Sequence, residues 1–202
     1  MQEIIIASGN QGKIKETQEI LKEFKIISTQ DIGIDIDVEE DQETFEANAI
    51  KKAETIAKLI KGKKCIADDS GIEIEILKGF PGVFTKRWFN GTDRERNLKL
   101  IEKLSGIPRE NRKIKYTTAI ALSDGEHTIY ETAIIDGFVA KEVRGENGFG
   151  FDEIFELKNG KTLAELSQEE KNQISARKIA LERLKKRLLE KEVERLEKGV
   201  ER

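Results

Sequence analysis

Carboxylates, lysines, arginines and hydroxyls are the side chains with which this chain could do chemistry. The alternatives are nearly absent, with one histidine, His127, and one cysteine, Cys65, in 202 residues. A zinc site of His and Cys ligands cannot be assembled from that supply within one chain. A Ser-His-Asp or Cys-His mechanism would have to use His127, which follows the hairpin-turn signal Ser123-Asp124-Gly125-Glu126 and is expected at a loop tip. The stretch Ile66-Ala67-Asp68-Asp69-Ser70-Gly71 sets two adjacent carboxylates between apolar runs. They are costly to hold there unless something positive meets them. Neighbours on a strand face opposite ways, so Asp68 and Asp69 are expected to do different jobs. Hard oxygen ligands of this kind favour Mg²⁺ or Mn²⁺. A solvated acidic turn is the competing reading of this segment.

Three other stretches could serve the same chemistry. Ser8-Gly9-Asn10-Gln11-Gly12-Lys13 stands between an apolar run and a helical pattern. That order aims backbone N–H groups, the positive helix end and the Lys13 charge beyond the strand. It shares the logic of a P-loop but not its pattern, since Ala7 and Ile14 replace the first Gly and the Ser or Thr. Glu39-Glu40-Asp41 offers carboxylates before a helix, either as metal ligands or as favourable charges for the helix dipole. Gly145 to Asp152 alternates glycines with Phe149 and Phe151, a backbone that a ligand can approach and rings on which a base can stack. A glycine-rich bend with two core phenylalanines fits equally.

The elements that must position these residues follow from periodicity. Glu3 to Ala7 is a buried strand, and Ile14, Thr17, Leu21 and Phe24 share a helical face. Ile26–Ser28 and Ile34–Val38 have the pattern of short strands. Phe45, Ala49, Ala53, Ile56 and Ile60 form the inward face of a second helix. Ile66 to Asp68 reads as a strand end, Ser70-Gly71 as a turn, and Ile72, Ile74 and Ile76 as the next strand. Thr92-x-x-Glu95 is a capping box for a helix with Leu98, Ile101 and Leu104 inward. Ile114 to Leu122 and Thr128 to Ile135 alternate as an antiparallel hairpin, continued by Gly137-Phe138-Val139. Ser167-x-x-Glu170 is a second capping box with Lys171 a turn later. Ser175 restarts a helix, placing Arg177 at its start and Ile179, Ala180, Leu184, Leu188 and Leu189 along its stripe. Residues 189–202 read as a charged, solvated helical extension, with Glu182/Lys186 and Glu194/Lys198 pairs.

Length and composition exclude several classes. The chain fits one domain, with two lobes allowed. No apolar run approaches the ~20 residues of a membrane span, and Met1-Gln2-Glu3-Ile4 has no export signal. A lone cysteine suits a reducing cytoplasm. The net charge of −3 argues against general nucleic-acid binding.

Taken in order, SGNQGK, ADDSG, GFGFD and EEKNQIS-x-R resemble the inosine triphosphate pyrophosphatase family from Met1 to about Leu188. The resemblance implies an α/β fold with an elongated mixed sheet, flanking helices and two lobes around a cleft, over residues 1–188. It also implies a homodimer, Mg²⁺ dependence, and hydrolysis of ITP, dITP or XTP to the monophosphate and pyrophosphate. Carried over by motif, Ser8, Asn10 and Lys13 grip the triphosphate within the segment that includes Gly9, Gln11 and Gly12. Glu40 and Asp69 bind the metal; Asp69 is also the proton acceptor, flanked by Asp68 and Ser70. Phe149, Gly150, Phe151 and Asp152 receive the base, with Phe149 as stacking ring, and Lys171 and Arg177 contact phosphate or base. Ala176 replaces the family's usual His, which leaves a shifted base preference as an alternative; an inactive nucleotide-binding module is another. Ala47 and Glu153 depart from the usual Glu and Pro.

Overall fold

Ile4, Ile5 and Ile6, all buried, form the strand from which the sheet extends in both directions. The computed structural model describes residues 2–200, and side chains through Glu190. β1 (Gln2–Ile6) pairs in parallel with β2 (Phe24–Ser28) and with the start of β3 (Lys64–Ile74). The far end of β3 pairs antiparallel with the short β4 (Phe80–Pro81), and its length pairs antiparallel with β5 (Lys113–Ser123). β5 pairs with β6 (Thr128–Val139) and β6 with β7 (Phe155–Glu156), giving the mixed order β2-β1-β3-β5-β6-β7. The helices are α1 (Gln11–Ile20), α2 (Phe45–Leu59), α3 (Asp93–Lys103), α4 (Gln168–Ile174) and α5 (Ala176–Val200).

The alternation of the long strands decides what each face holds. Ala67, Ala119 and Ala121 turn small side chains toward Phe45, Ala49 and Ala53 of α2. On the opposite face, Ile66, Ile120 and Leu122 pack with Ala180, Leu181 and Leu184 of α5. Further along that face, Ile72, Ile74 and Ile114 pack with Leu100, Leu104 and Phe155. These are two cores on the same strands, meeting at Tyr116 and Ile135, and they are the basis of two lobes. Between them the face carries Asp68, Ser70 and Thr118.

Several expectations hold. The hairpin turns at Asp124-Gly125, with His127 exposed at its tip. Both capping boxes form, at Thr92/Glu95 and Ser167/Glu170. Ser175 accepts the Lys178 N–H at the start of α5.

The expected turn at Ser70-Gly71 does not exist, because β3 continues through it for 11 residues. Gly71 meets a packing need instead: a Cβ there would lie 2.4 Å from Thr85 Oγ1 and 2.7 Å from the Phe45 ring. Ile76 has left the strand and is exposed. Ile34–Val38 is a loop, not a strand; Ile34 and Val38 pack near Ile5 and Ile56 while Ile36 is exposed, and no strand pairs with them. α1 ends at Ile20, so Phe24 belongs to β2. Leu98 is exposed; Asn97 and Leu100 are the buried residues of α3, while Ile101 and Leu104 face the core as expected. Glu39-Glu40-Asp41 precede the Thr44 N-cap and lie outside the first turn of α2. Along α5, Leu181 is buried and Leu189 exposed; Glu182 pairs with Lys178, and Lys186 with Glu190. The Glu194/Lys198 pair lies outside the described side chains.

Candidate active site

The turn after β1 is built by its own side chains. Ser8 Oγ accepts the Asn10 N–H at 3.2 Å, and Asn10 caps α1 by accepting the Lys13 N–H at 3.2 Å. No acidic residue occupies the first turn of α1, so nothing there competes with an anion for the positive helix end. Ser8, Gly9, Asn10 and Lys13 line a groove of about 520 Å³ together with Glu40, Lys52, Asp68 and Lys86. Gln11 and Gly12 do not line it. Gly12 sits beneath the Phe149 ring, where a Cβ would fall 2.4 Å from Cδ1.

Asp68 and the far lobe are joined by six buried ionised side chains. Lys13 Nζ lies 2.8 Å from Asp68 Oδ2, which also accepts from Arg177 Nη1 at 2.6 Å. Arg177 Nε donates to Glu16 Oε2 at 2.8 Å. Glu16 Oε1 lies 2.6 Å from Lys171 Nζ, an ion pair by distance without a well-directed hydrogen bond. Lys171 Nζ donates to Asp152 Oδ2 at 2.6 Å, and the Phe149 N–H donates to the same oxygen at 2.8 Å. Three positive and three negative groups alternate, none more than 8% exposed. Buried ion pairs barely offset their own desolvation, so stability alone is a poor reason for such a chain. Burial pushes the Asp68 carboxyl up, but Arg177 and Lys13 outweigh it and hold it well below the usual range. Burial lowers Lys13 to about 8 despite Asp68.

Asp69 faces the other side of the sheet. Asn48 Nδ2 donates to its Oδ2 at 2.9 Å and the Ser70 N–H to its Oδ1 at 2.9 Å. Burial raises its pKa to about 6; Lys52 pulls it down and Glu40 pushes it up. It lies behind the groove lining and is 6% exposed. Lys52 Nζ donates to Glu40 Oε1 at 2.6 Å and to the Asp68 carbonyl. Burial opposes the Glu40 charge, but Lys52 wins and its pKa falls.

Among the described residues, no three His, Cys, Asp or Glu side chains gather to hold a metal unaided. The donor set fits a different arrangement. Mg²⁺ keeps few protein carboxylates and completes its shell with phosphate oxygens and water. Glu40 and Asp69 are two hard-oxygen donors whose charges influence each other, beside a groove that already holds the Lys52 cation.

The segment expected to receive a base is divided. Phe149 and Asp152 line a cavity with Glu16, Lys171, Ala176 and Arg177, but the cavity is only about 20 Å³, room for roughly one water. Lys171 Nζ stands 4.5 Å from the Phe149 ring centroid. Phe151 is core, and α3 holds Gly150: Asp93 Oδ2 accepts its N–H at 3.1 Å and Asn97 Nδ2 donates to its carbonyl at 2.9 Å. Glu153, at the unusual position after Asp152, accepts from Arg94 at 2.9 Å and so ties the segment to α3.

Sequence reasoning missed Glu16, Asn48 and Lys52; Lys86 lies in residues 83–89, an apolar and basic stretch that reads as core, subunit contact or substrate wall, and it lines the groove. Glu16 had a signal, because it lies three residues after Lys13 and next to Thr17 on the inward face of α1. Asn48 and Lys52 each precede an alanine of the buried α2 stripe, four residues apart.

The sequence profile described as the Ham1 family matches residues 4–187. A dITP/XTP pyrophosphatase of Bacillus subtilis is 44% identical over 194 residues, 93% of this chain and 98% of that protein. Another from Caldanaerobacter subterraneus is 40% identical over 95% of this chain and 98% of its own. Among solved structures, a HAM1 protein from Coxiella burnetii aligns with a TM-score of 0.83 at 40% identity, covering 94% of this chain and all of that one.

Proposed function

This chain belongs to the Ham1 family, and from that premise we propose that it hydrolyses non-standard purine nucleoside triphosphates, ITP, dITP and XTP, to monophosphate and pyrophosphate. Its curated relatives are named dITP/XTP pyrophosphatases. The observation that carries the reading is the groove, where the α1 N-terminus, Lys13, Lys52 and Lys86 meet Glu40 and Asp68, with Asp69 behind the lining.

In the proposed mechanism, Lys13 and the α1 N-terminus bind the triphosphate, with Lys52 and Lys86 along the same wall. Glu40 and Asp69 would hold Mg²⁺, or Mn²⁺ in its place, which neutralises phosphate charge when bound. Asp69, fixed by Asn48 and the Ser70 N–H, accepts the proton of the water that attacks the α-phosphorus. Pyrophosphate leaves as that bond forms. Phe149 stacks on the base after it moves from Gly12, since the closed cavity holds no purine. Lys171 and Arg177 donate to base or phosphate once the nucleotide replaces their internal carboxylate partners.

Ala176, buried beside the closed cavity, supports a second reading within the same chemistry, a shifted base preference. A nucleotide panel with product identification, comparing the native protein with Ala176→His, tests both. Preference for ITP and XTP supports the first reading; equal or faster turnover of GTP or ATP supports the second. The added ring must be fitted into a filled site at a cost of about 1–3 kcal/mol, so folding is checked alongside.

A homodimer in a reducing cytoplasm completes the proposal. No helix among the described residues is long and apolar enough to cross a membrane. Sedimentation of the purified protein as a monomer at micromolar concentration would remove the dimer from the account.

A further inference from the structure

We propose that Asn48 is a positioning residue, whose buried side-chain amide sets the span between Glu40 and Asp69. This rests on the reading above, in which those two carboxylates hold the divalent ion.

Asn48 is 0% exposed on the sheet-facing side of α2, beside Ala49 and Ala53. Its two ends have different partners. Nδ2 donates to Asp69 Oδ2 at 2.9 Å, and Oδ1 accepts the Gln42 N–H at 3.0 Å. The orientation is forced, because a backbone N–H must face the oxygen and a carboxylate must face the NH₂. One planar amide therefore bridges Asp69 on β3 and the loop two residues after Glu40. The Ser70 N–H fixes the other Asp69 oxygen, so the carboxylate has two anchored lone pairs and cannot rotate without breaking a bond. Lys51, which donates to the Glu39 carbonyl and to Asp41, and Lys52, which donates to Glu40, steady the same loop from α2. Lys52 also reaches β3, at the Asp68 carbonyl, but among the described side chains of α2 Asn48 is the one that bonds the Asp69 carboxylate itself. A neutral amide does this without adding a charge that would compete with a cation.

The test compares Asn48→Ala, Asn48→Asp and Thr44→Ala. Asn48→Ala frees both sides. Asn48→Asp keeps an acceptor for the Gln42 N–H while removing the donor to Asp69. Thr44→Ala removes the N-cap bond to the Ala47 N–H, weakening the same helix without touching the span. Two readouts are taken: Mn²⁺ affinity by electron paramagnetic resonance with an α,β-methylene purine triphosphate present, and kcat and KM for ITP with Mg²⁺.

Both Asn48 variants are expected to lose about 10- to 100-fold in Mn²⁺ affinity and in kcat, with nucleotide KM nearly unchanged. Thr44→Ala is expected to melt at a lower temperature with native Mn²⁺ affinity and kcat. Asn48 variants with native Mn²⁺ affinity and kcat would overturn the inference. If Asn48→Ala does not fold, Asn48→Asp decides on the same criteria. Native protein that neither turns over ITP nor binds Mn²⁺ would instead defeat the underlying reading, which separates the two failures.

Discussion

Asp68 and Asp69 are sequence neighbours whose carboxyl groups face opposite sides of one strand: Asp68 meets Lys13 and Arg177, and Asp69 meets Asn48. Their electrostatic settings diverge accordingly. Two cations lower the pKa of Asp68, whereas burial raises that of Asp69 to about 6.

The pH dependence of metal-free stability follows with opposite signs. The folded pKa of Asp69 exceeds its unfolded value, so its contribution is full below about pH 4 and is lost as pH rises through about 6. A shift of about two units corresponds to about 3 kcal/mol. The folded pKa of Asp68 is depressed, so its contribution is present above about pH 4 and lost in acid. Burial raises Asp152 as well, with the same sign as Asp69, so the informative quantity is a difference. In urea titrations with chelator present, Asp69→Asn should lack part of the decline that the native protein shows between pH 4 and 7. Parallel curves would contradict the assignment.

Arg177 joins Glu16 to Asp68 in the buried charge chain. Arg177→Met leaves both carboxylates short of a cation and should cost about 3–5 kcal/mol by urea unfolding. Lys185→Ala breaks a solvated pair with Glu23 and should cost far less, because solvent screens it. Equal losses would mean that the chain is not a buried network.

Lys13, lowered to about 8, should lose its charge in mildly alkaline solution. Binding of a non-hydrolysable purine triphosphate is therefore expected to weaken between pH 8 and 10, where the uncharged amine attracts phosphate less. Lys13→Arg should remove that part of the dependence, because a guanidinium stays protonated. Titration calorimetry across the range checks it.

Gly12 leaves room for the Phe149 ring. Gly12→Ala gains helix propensity worth up to about 1 kcal/mol but must displace the ring. The expected result is a raised KM for ITP with a smaller change in kcat. Unchanged KM would separate Phe149 from nucleotide binding.

Much of this was legible in the residues. Periodicity located the α2 face and the β5–β6 hairpin, and capping chemistry located the starts of α3 and α4. The errors share a cause: local pattern competes with a tertiary partner that sequence does not display. Ser70-Gly71 has turn composition, yet the ladder to β5 and the crowding by Phe45 and Thr85 keep β3 straight. Ile34, Ile36 and Val38 alternate like a strand, but β2 already pairs with that edge of β1. Lys13, Asp68 and Arg177 were each singled out, and they do come together. Glu16 was missed because a charge on an inward helix face makes sense only when its partners, 155 and more residues away, are in view. The closed Phe149 cavity had no signal in the sequence, because ring placement depends on packing against Gly12 and Lys171.

The most direct test is single-turnover hydrolysis of ITP with Mg²⁺ in ¹⁸O-labelled water, native protein against Asp69→Asn. Native protein should yield pyrophosphate and IMP carrying the label, and Asp69→Asn should slow this by about 10²–10⁴-fold while still binding nucleotide. Label in released inorganic phosphate, or an Asp69→Asn protein as fast as native, would contradict attack at the α-phosphorus assisted by Asp69.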